Sequence, residues 1–153
     1  STASAKFGVR GGGGSARAMN LTVGQTASRE MTVTEEMVAA YASLTGDHNP
    51  LHFDAEFVAK TDFEGLMAQG GLATGLLHAL VAEDMPGLGS VFMRQNWRFP
   101  RPVYIGETIR AEATVTRVRA SRSIAELAVV VATSAGDVVL EGDVMVHQAV
   151  PAD

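Results

Sequence analysis

The chain has 153 residues, 46% of them hydrophobic and 19% charged, a composition typical of one globular domain with a single core. It contains no cysteine, which excludes disulfides, a thiol nucleophile and thiolate ligands for a metal. Three of its 12 basic residues lie before Met19 and none of its 17 acidic residues does, so the remainder has 9 basic and 17 acidic side chains. So acidic a domain is not expected to bind nucleic acid or an anionic membrane surface.

Residues 1–18 are predicted to be a flexible tag or linker, and residues 19–153 the folded domain. Positions 11–15 are Gly-Gly-Gly-Gly-Ser, and the residues before them show no core periodicity. The sequence has no run of 18 apolar residues and no apolar core of a signal peptide near its beginning. We therefore expect a cytoplasmic protein, with an organelle matrix as the second possibility.

The first predicted elements are an edge strand and a short helix. Residues 21–33 are polar and rich in threonine, which favours a strand at the edge of a sheet. Thr34 can cap the following helix, because its hydroxyl can accept a hydrogen bond from a free backbone N–H, and Gly46 can end it. Apolar residues at helical spacing predict the inward face, which consists of Met37, Val38, Tyr41 and Leu44.

Two more helices are predicted before the main strands. Asp54 can cap a short helix over residues 55–59. Residues 70–85 are the most apolar helical stretch, and a helix that is apolar nearly all round is expected to be buried. Its apolar residues are Leu72, Ala73, Leu76, Leu77, Ala79, Leu80, Val81 and Ala82.

The alternation of apolar and polar residues predicts the faces of the first two strands after Ser90. Residues 91–99 are expected to place Val91, Met93, Trp97 and Phe99 on one face and Arg94, Asn96 and Arg98 on the other. In residues 108–118, the predicted inward side chains are Ile109, Ala111, Ala113 and Val115.

The last two strands complete an antiparallel sheet. Residues 124–133 are almost continuously apolar, which predicts a central strand. A turn at Gly136-Asp137 leads into a strand over residues 138–147, whose expected inward side chains are Val138, Leu140, Val144 and Val146. One buried helix followed by antiparallel strands predicts an α+β domain in which the sheet curls around the helix, the hot-dog arrangement.

The most informative segment is residues 41–52, with the sequence Tyr-Ala-Ser-Leu-Thr-Gly-Asp-His-Asn-Pro-Leu-His. After Gly46, a proline-stiffened turn presents Asp47 and His52, with the amide of Asn49 between them to orient either one. Turns with Asp, Asn and Pro are usually structural. A carboxylate and an imidazole can, however, hold one water between two proton acceptors. With no Ser or Cys nucleophile between them, the pair favours water activation over covalent catalysis.

This segment resembles the hallmark of the MaoC-like (R)-specific enoyl-CoA hydratases, also called hydratase 2. The matching residues are Tyr41, Leu44, Thr45, Gly46, Asp47, Asn49, Pro50, Leu51 and His52. The resemblance covers residues 20–148 and continues through Phe63-Glu64, the predicted helix from Gly70, Gly89-Ser90, and Phe99 to Glu107. It implies a MaoC-like hot-dog domain that works as a homodimer or a dimer of dimers.

The resemblance also implies a reaction, the addition of water to a trans-2-enoyl thioester to give the (R)-3-hydroxyacyl thioester. Asp47 and His52 would activate the water, and the backbone N–H of Gly70 would bind the thioester oxygen. A helix N-terminus does offer unpaired N–H groups to an oxygen that gains charge, and glycines at positions 70 and 71 would let a substrate approach the backbone. The acyl group would be carried on coenzyme A or acyl carrier protein, with no cofactor and no metal.

Two departures from the family pattern concern the acyl pocket rather than Asp47 and His52. Gln69 precedes Gly70 where family members commonly have histidine, and His78 replaces a small polar residue found in some of them. A lone histidine on an apolar helix is usually a core residue with a satisfied hydrogen bond. Alternatively, His78 binds a polar acyl group and tunes substrate choice, since it lies about 12 Å along the helix from Gly70.

Other basic and imidazole groups have a surface interpretation. Arg94, Arg98 and Arg101 are the densest basic group, and they form either a solvated strand face or, for Arg98 above all, a contact to the phosphates of coenzyme A. His48, at the variable position of the motif, and His147, near the end of the chain, are expected at the surface.

Two other functions remain open on the sequence. A hot-dog thioesterase shares the fold and the helix-end oxyanion site, but it needs a carboxylate at the carbonyl, often from the central helix. That helix has acids only at its far end, Glu83 and Asp84. A non-catalytic acyl-CoA-binding protein is the other alternative, against which the intact pair of Asp47 and His52 counts. The fold alone does not decide between these functions.

Overall fold

The computed structural model describes residues 19–149. In chain order the elements are β1 (Thr26–Thr32), α1 (Glu35–Thr45), a 3-10 turn (Pro50–His52), α2 (Ala55–Ala59), α3 (Gly70–Ala79), a π-helical turn (Leu80–Asp84), β2 (Ser90–Arg98), β3 (Thr108–Arg119), a 3-10 turn (Ala120–Arg122), β4 (Ile124–Thr133) and β5 (Val138–Gln148). The tag or linker predicted for residues 1–18 lies outside the described residues. Within residues 19–149, no helix is long and apolar enough to cross a membrane.

The strands form one antiparallel sheet in the order β1-β3-β4-β5-β2, and this sheet packs around α3. Leu76, Leu77 and Leu80 from the helical side belong to the same buried cluster as the inward side chains of the strands. The predicted α+β class, the wrapped helix and the central position of β4 are confirmed.

The period of two in β3 is confirmed most clearly. Ile109, Ala111, Ala113 and Val115 are at most 1% exposed, whereas Arg110 and Glu112 between them are exposed. Small alanines on the inner face leave room for the wide helical layer, because side chains must fill the space between sheet and helix without overlap. The turn at Gly136 and the inward positions Leu140, Val144 and Val146 are also confirmed.

The predicted apolar face of β2 is confirmed at Trp97 but is wrong at Val91, Met93 and Phe99, which are exposed. Pairing with β5 shifts register between Phe92 and Arg94, so a β-bulge inserts one extra residue and reverses the alternation. Phe92 and Trp97 therefore pack against the core, whereas Val91 and Met93 are each 43% exposed. A bulge depends on the partner strand, which a local pattern does not include.

Two helical predictions also need correction. On α1, Leu44 is 85% exposed and Ala42 is buried in its place, although Val38 faces inward as expected. The helix predicted over residues 70–85 ends as an α-helix at Ala79 and continues as a π-helical turn. It is not buried all round, because His78 lies on an exposed face.

Candidate active site

The loop that follows α1 begins where the helix is stopped by its own caps. The hydroxyl of Thr34 accepts a hydrogen bond from the backbone N–H of Met37 at 3.2 Å, which confirms the predicted N-cap. At the other end, Gly46 has a φ of 85°, a left-handed conformation that favours glycine, and its N–H donates to the carbonyl of Ala42. The chain is thereby turned away from the helix axis just before Asp47.

Asn49 organises this loop through both its backbone and its side chain. Its backbone N–H donates to Oδ1 of Asp47 at 3.3 Å, and its side-chain oxygen accepts from the backbone N–H of Leu51 at 3.1 Å. The second bond caps the 3-10 turn that includes His52. The carbonyl of Asn49 also accepts from the backbone N–H of His52 at 3.0 Å, so Asn49 is joined to both members of the predicted pair through its backbone, whereas its side-chain oxygen bonds to Leu51.

One ring nitrogen of His52 is hydrogen-bonded, and the other has no hydrogen-bond partner among the described residues. Nδ1 lies 2.7 Å from the carbonyl oxygen of Met67, and since a carbonyl can only accept, Nδ1 is the protonated nitrogen. In the neutral imidazole Nε2 is then an acceptor, and it lies 3.7 Å from Oδ1 of Asp47. The His52 side chain is 8% exposed and that of Asp47 is 41% exposed, so the two acceptors meet at the boundary between core and solvent.

The predicted oxyanion position lies on the next segment along the chain. Met67 donates its N–H to the carbonyl of Leu51, and three residues later Gly70 begins α3. No side chain caps this helix end. The segment that fixes His52 therefore leads directly into a helix N-terminus with unpaired N–H groups, as the sequence predicted.

Residues 69–71 each have a distinct neighbour. Gln69 is buried, and its Nε2 donates to the carbonyl of Val38 at 3.0 Å, while its Oε1 has no partner among the described residues. A Cβ on Gly70 would only reach ordinary contact with Phe99. At Gly71, the expectation of open substrate access is wrong, because Tyr41 fills the space where a Cβ would lie.

Residues 19–136 match the protein family described as MaoC like domain. The chain belongs to this family. It is 36% identical to an (R)-specific enoyl-CoA hydratase from Aeromonas caviae over 84% of this chain and 96% of that protein. It is 34% identical to an (R)-specific enoyl-CoA hydratase from Rhodospirillum rubrum, over 80% of this chain and 85% of the relative.

Solved structures give the same relationship for this MaoC-like domain. The (R)-hydratase from A. caviae involved in PHA biosynthesis superimposes with a TM-score of 0.81, covering 86% of this chain and all of the other at 36% identity. R-hydratase PhaJ1 from Pseudomonas aeruginosa gives a TM-score of 0.77 at 30% identity, covering 87% of this chain and 89% of that one. The hot-dog fold is therefore shared along almost the whole described chain.

Farther along α3, the MaoC-like domain places a polar pair among aromatic rings. Nε2 of His78 lies 3.0 Å from Nε2 of Gln95, so the amide donates and the imidazole accepts. The His78 ring is 4.5 Å from the Phe92 ring and 6.2 Å from that of Trp97, measured between centroids. Partial burial lowers the pKa of His78, which favours the neutral imidazole.

The sequence predicted His78 but missed Gln95. The structure identifies the hydrogen-bond partner of His78 as the side-chain amide of Gln95. Gln95 meets His78 because the bulge in β2 rotates Gln95 toward the helix. The alternation that places Trp97 on the inner face also places position 95 there, but it does not indicate a contact with His78.

The three arginines do not form one basic group. Arg94 pairs with Glu126 and Asp143, and Arg101 makes a two-pronged bond to Glu107 at 2.8 and 2.9 Å. Arg98 has a single long contact, 3.7 Å from Glu141, and its side chain is 64% exposed. Arg98 also directly precedes Phe99, whose ring lies against Gly70.

Proposed function

We propose that this MaoC-like domain hydrates a trans-2-enoyl thioester to the (R)-3-hydroxyacyl thioester, with Asp47 and His52 as the catalytic pair. The observation on which this depends is a distance of 3.7 Å between a carboxylate oxygen of Asp47 and Nε2 of His52, whose other ring nitrogen is bonded to the carbonyl of Met67. Relatives in the same family, at 34–36% identity, are hydratases by name.

The geometry suits one water molecule. Both facing atoms accept hydrogen bonds, so a water between them donates one hydrogen to each and its lone pairs point away toward a substrate. As the water oxygen bonds to the β-carbon, one acceptor takes the departing proton, and a proton is delivered to the α-carbon. The addition then places a hydroxyl on the β-carbon and a hydrogen on the α-carbon.

The oxyanion contact follows from the start of α3. During attack, the electrons of the double bond move toward the thioester oxygen, which gains negative charge. The N–H of Gly70 and the positive end of the helix dipole stabilise that charge. Because Gly70 has only Phe99 near its Cβ position, a thioester can reach the backbone there.

No observation favours a thioesterase. The α3 helix contains no carboxylate along Gly70–Ala79. Asp84 lies beyond its end and is bonded to Arg29 at 2.8 Å, which lowers the pKa of Asp84 and holds it away from the site. A non-catalytic binding protein would not need His52 in a fixed tautomer opposite a carboxylate.

A homodimer, or a dimer of dimers, completes the proposal. Strand β2 lies at the edge of the sheet, where unpaired backbone groups can bind another strand. Exposed apolar side chains follow this edge, among them Met93 and Phe99, the latter in contact distance of the Gly70 position. Sedimentation is expected to show a dimer at least, and a stable, active monomer at micromolar concentration would contradict this.

Contacts are proposed to two parts of the substrate, the distal acyl chain and the phosphates of the carrier. His78, with Gln95, would meet the distal part of the acyl chain, and exposed Arg98 would meet the phosphates of coenzyme A. The carrier is coenzyme A or acyl carrier protein, and no cofactor or metal is part of the proposal. We place the reaction in the cytoplasm, which cell fractionation tests.

The deciding experiment follows the loss of absorbance of the conjugated enoyl thioester. A panel runs from crotonyl-CoA to long-chain and branched acids, and chiral analysis of the product checks for the (R) isomer. Hydration of at least one member is expected, with Asp47→Asn as the inactive control. Hydrolysis to free coenzyme A without hydration would instead indicate a thioesterase.

A further inference from the structure

The first turn of α3 has a neighbour from α1 that the proposed mechanism does not use, the side chain of Tyr41. A Cβ added to Gly71 would overlap with the hydroxyl and the ring of this tyrosine. The side chain is only partly exposed, and no hydrogen bond joins its hydroxyl to another of residues 19–149. Packing thus holds the phenol at the helix end and leaves its O–H group available as a donor.

The hydroxyl lies on the side of the helix where a ligand meets the free N–H groups. Cα–Cβ bonds in a helix tilt toward its N-terminus. The N–H groups of the first turn have no acceptor within the helix and point in the same general direction. Because the hydroxyl of Tyr41 occupies the Cβ position of Gly71, it lies on the first turn of the helix, one residue from the N–H of Gly70.

Two hydrogen bonds to backbone carbonyls of α1 lie close to Tyr41, and one of them joins α1 to the residue before α3. One turn earlier on α1, the carbonyl of Val38 accepts from Gln69, the residue that precedes α3. One turn later, the hydroxyl of Thr45 donates to the carbonyl of Tyr41 at 2.7 Å. The helix that bears the phenol is therefore bonded to the start of α3, and the donor is in place before a substrate arrives.

We propose that the Tyr41 hydroxyl is a second hydrogen-bond donor to the thioester oxygen, beside the N–H of Gly70. This inference rests on the proposed function. When the water oxygen bonds to the β-carbon, the double-bond electrons shift to form an enolate, and both donors stabilise its oxygen. When the α-carbon takes a proton, the carbonyl re-forms, and Tyr41 keeps its own proton throughout.

Tyr41→Phe tests the proposal, because it removes the hydroxyl and keeps the ring against Gly71. Loss of one oxyanion donor is expected to lower kcat about 100-fold with little change in KM, while Tm stays the same. Tyr104→Phe is the matched control, since the Tyr104 hydroxyl accepts a hydrogen bond from the backbone N–H of Glu64 at 3.2 Å. An unchanged kcat in Tyr41→Phe would overturn the proposal while leaving hydration established.

A binding measurement separates this proposal from the function itself. Asp47→Asn, which is not expected to turn over, is mixed with a dienoyl thioester, whose absorption moves to longer wavelength when its carbonyl accepts hydrogen bonds. We expect the shift to be smaller in Asp47→Asn/Tyr41→Phe. Equal shifts in the two variants, or no binding to either, would overturn the role of Tyr41. If the wild type hydrates no thioester yet the shift depends on Tyr41, the proposed reaction fails and the hydrogen bond stands.

Discussion

Two polar loops flank residues 66–68, and they differ in how many hydrogen bonds their charged and imidazole side chains receive. In the support loop, residues 99–107, Glu107 receives a two-pronged bond from Arg101 and the backbone N–H of Tyr104 at 2.8 Å. In the Asp47 loop, residues 46–53, the Asp47 carboxylate receives one long bond from a backbone N–H among the described residues, and Nε2 of His52 faces it without a donor.

The two loops therefore differ in how far their polar side chains are hydrogen-bonded within the fold. In the support loop, the charges of Arg101 and Glu107 are bonded to each other. The loop is also joined to residues 66–68, because the carbonyl of Val103 accepts from the N–H of Ala68. The Asp47 loop bonds to the same segment through the backbone of Leu51 and Nδ1 of His52, and Nε2 of His52 has no hydrogen bond to the described residues. Both loops are therefore bonded to residues 66–68, the support loop through its backbone and the other loop also through the imidazole of His52.

Removing the open acceptors should produce the largest effect on activity. Asp47→Ala and His52→Ala are each expected to lower the rate of hydration by about 10²–10⁴-fold, because each removes a positioned proton acceptor. Asp47→Asn is the sharper variant, since its amide oxygen can still accept from the N–H of Asn49. Absorbance assays and circular dichroism measure the two properties. Near-normal turnover in a folded variant would contradict the assignment.

Breaking the support loop should lower stability rather than the chemical rate. Glu107→Gln removes a charged acceptor from Arg101, and we expect it to reduce the free energy of unfolding by about 2 kcal/mol. kcat per folded molecule should stay near that of the wild type. Urea unfolding monitored by circular dichroism gives the first value. A large loss of kcat at full stability would mean that the two loops are not separate in function.

The same variant has a pH dependence with a definite sign. The hydrogen bond from Arg101 lowers the pKa of Glu107 in the folded protein. A carboxyl whose folded pKa is lowered stabilises the fold above its unfolded pKa and loses that contribution as pH falls through the folded value. The stability difference between wild type and Glu107→Gln should therefore shrink in acid, and a difference that grew on acidification would contradict this cause.

His78 gives an intermediate effect, on substrate choice. His78→Leu and His78→Ser are expected to change the ratio of kcat/KM for polar and apolar acyl thioesters by about tenfold, because a paired polar group discriminates by roughly 1–2 kcal/mol. Gln95→Leu, which leaves the imidazole unpaired, should change the ratio in the same direction as His78→Leu. A uniform loss over all substrates would indicate a catalytic role, and a change in Tm alone would indicate a core role.

The smallest effect is expected at Arg98. Arg98→Ala should raise KM for a coenzyme A thioester about two- to fivefold, since exposed ion pairs contribute about 1 kcal/mol or less. KM for the corresponding pantetheine thioester, which lacks the nucleotide phosphates, should not change. Arg94→Ala is the control, because Arg94 already pairs with two acids. Equal increases for both substrates would exclude a phosphate contact.

The sequence predicted well those features whose interacting residues lie close together in the chain. Thr34, Gly46 and Asp54 cap their elements through bonds to residues within four positions, so the helix boundaries could be predicted. The pair Asp47 and His52 belongs to one turn, which is why a local motif was enough to bring them together.

What the sequence predicted poorly depended on distant partners. The tautomer of His52 is fixed by a carbonyl 15 positions away, at Met67, and no local pattern specifies that bond. The bulge after Phe92 depends on pairing with β5, and it decided both the inner face of β2 and the contact of Gln95 with His78. Leu44 follows the helical period, yet no described element covers its side of α1.

The Tyr41 side chain occupies the space that a Cβ at position 71 would need. The choice of residue at position 41 on α1 therefore restricts the choice at position 71 on α3. An alanine at position 71 requires the phenol to move, so we expect it to be tolerated best when position 41 changes as well. Among related proteins, positions 41 and 71 should therefore vary together, with a bulky aromatic residue at the first accompanied by glycine at the second. In laboratory evolution, substitutions at positions 41 and 71 should be selected together. A variant with a differently shaped pocket at the start of α3 should therefore carry both substitutions.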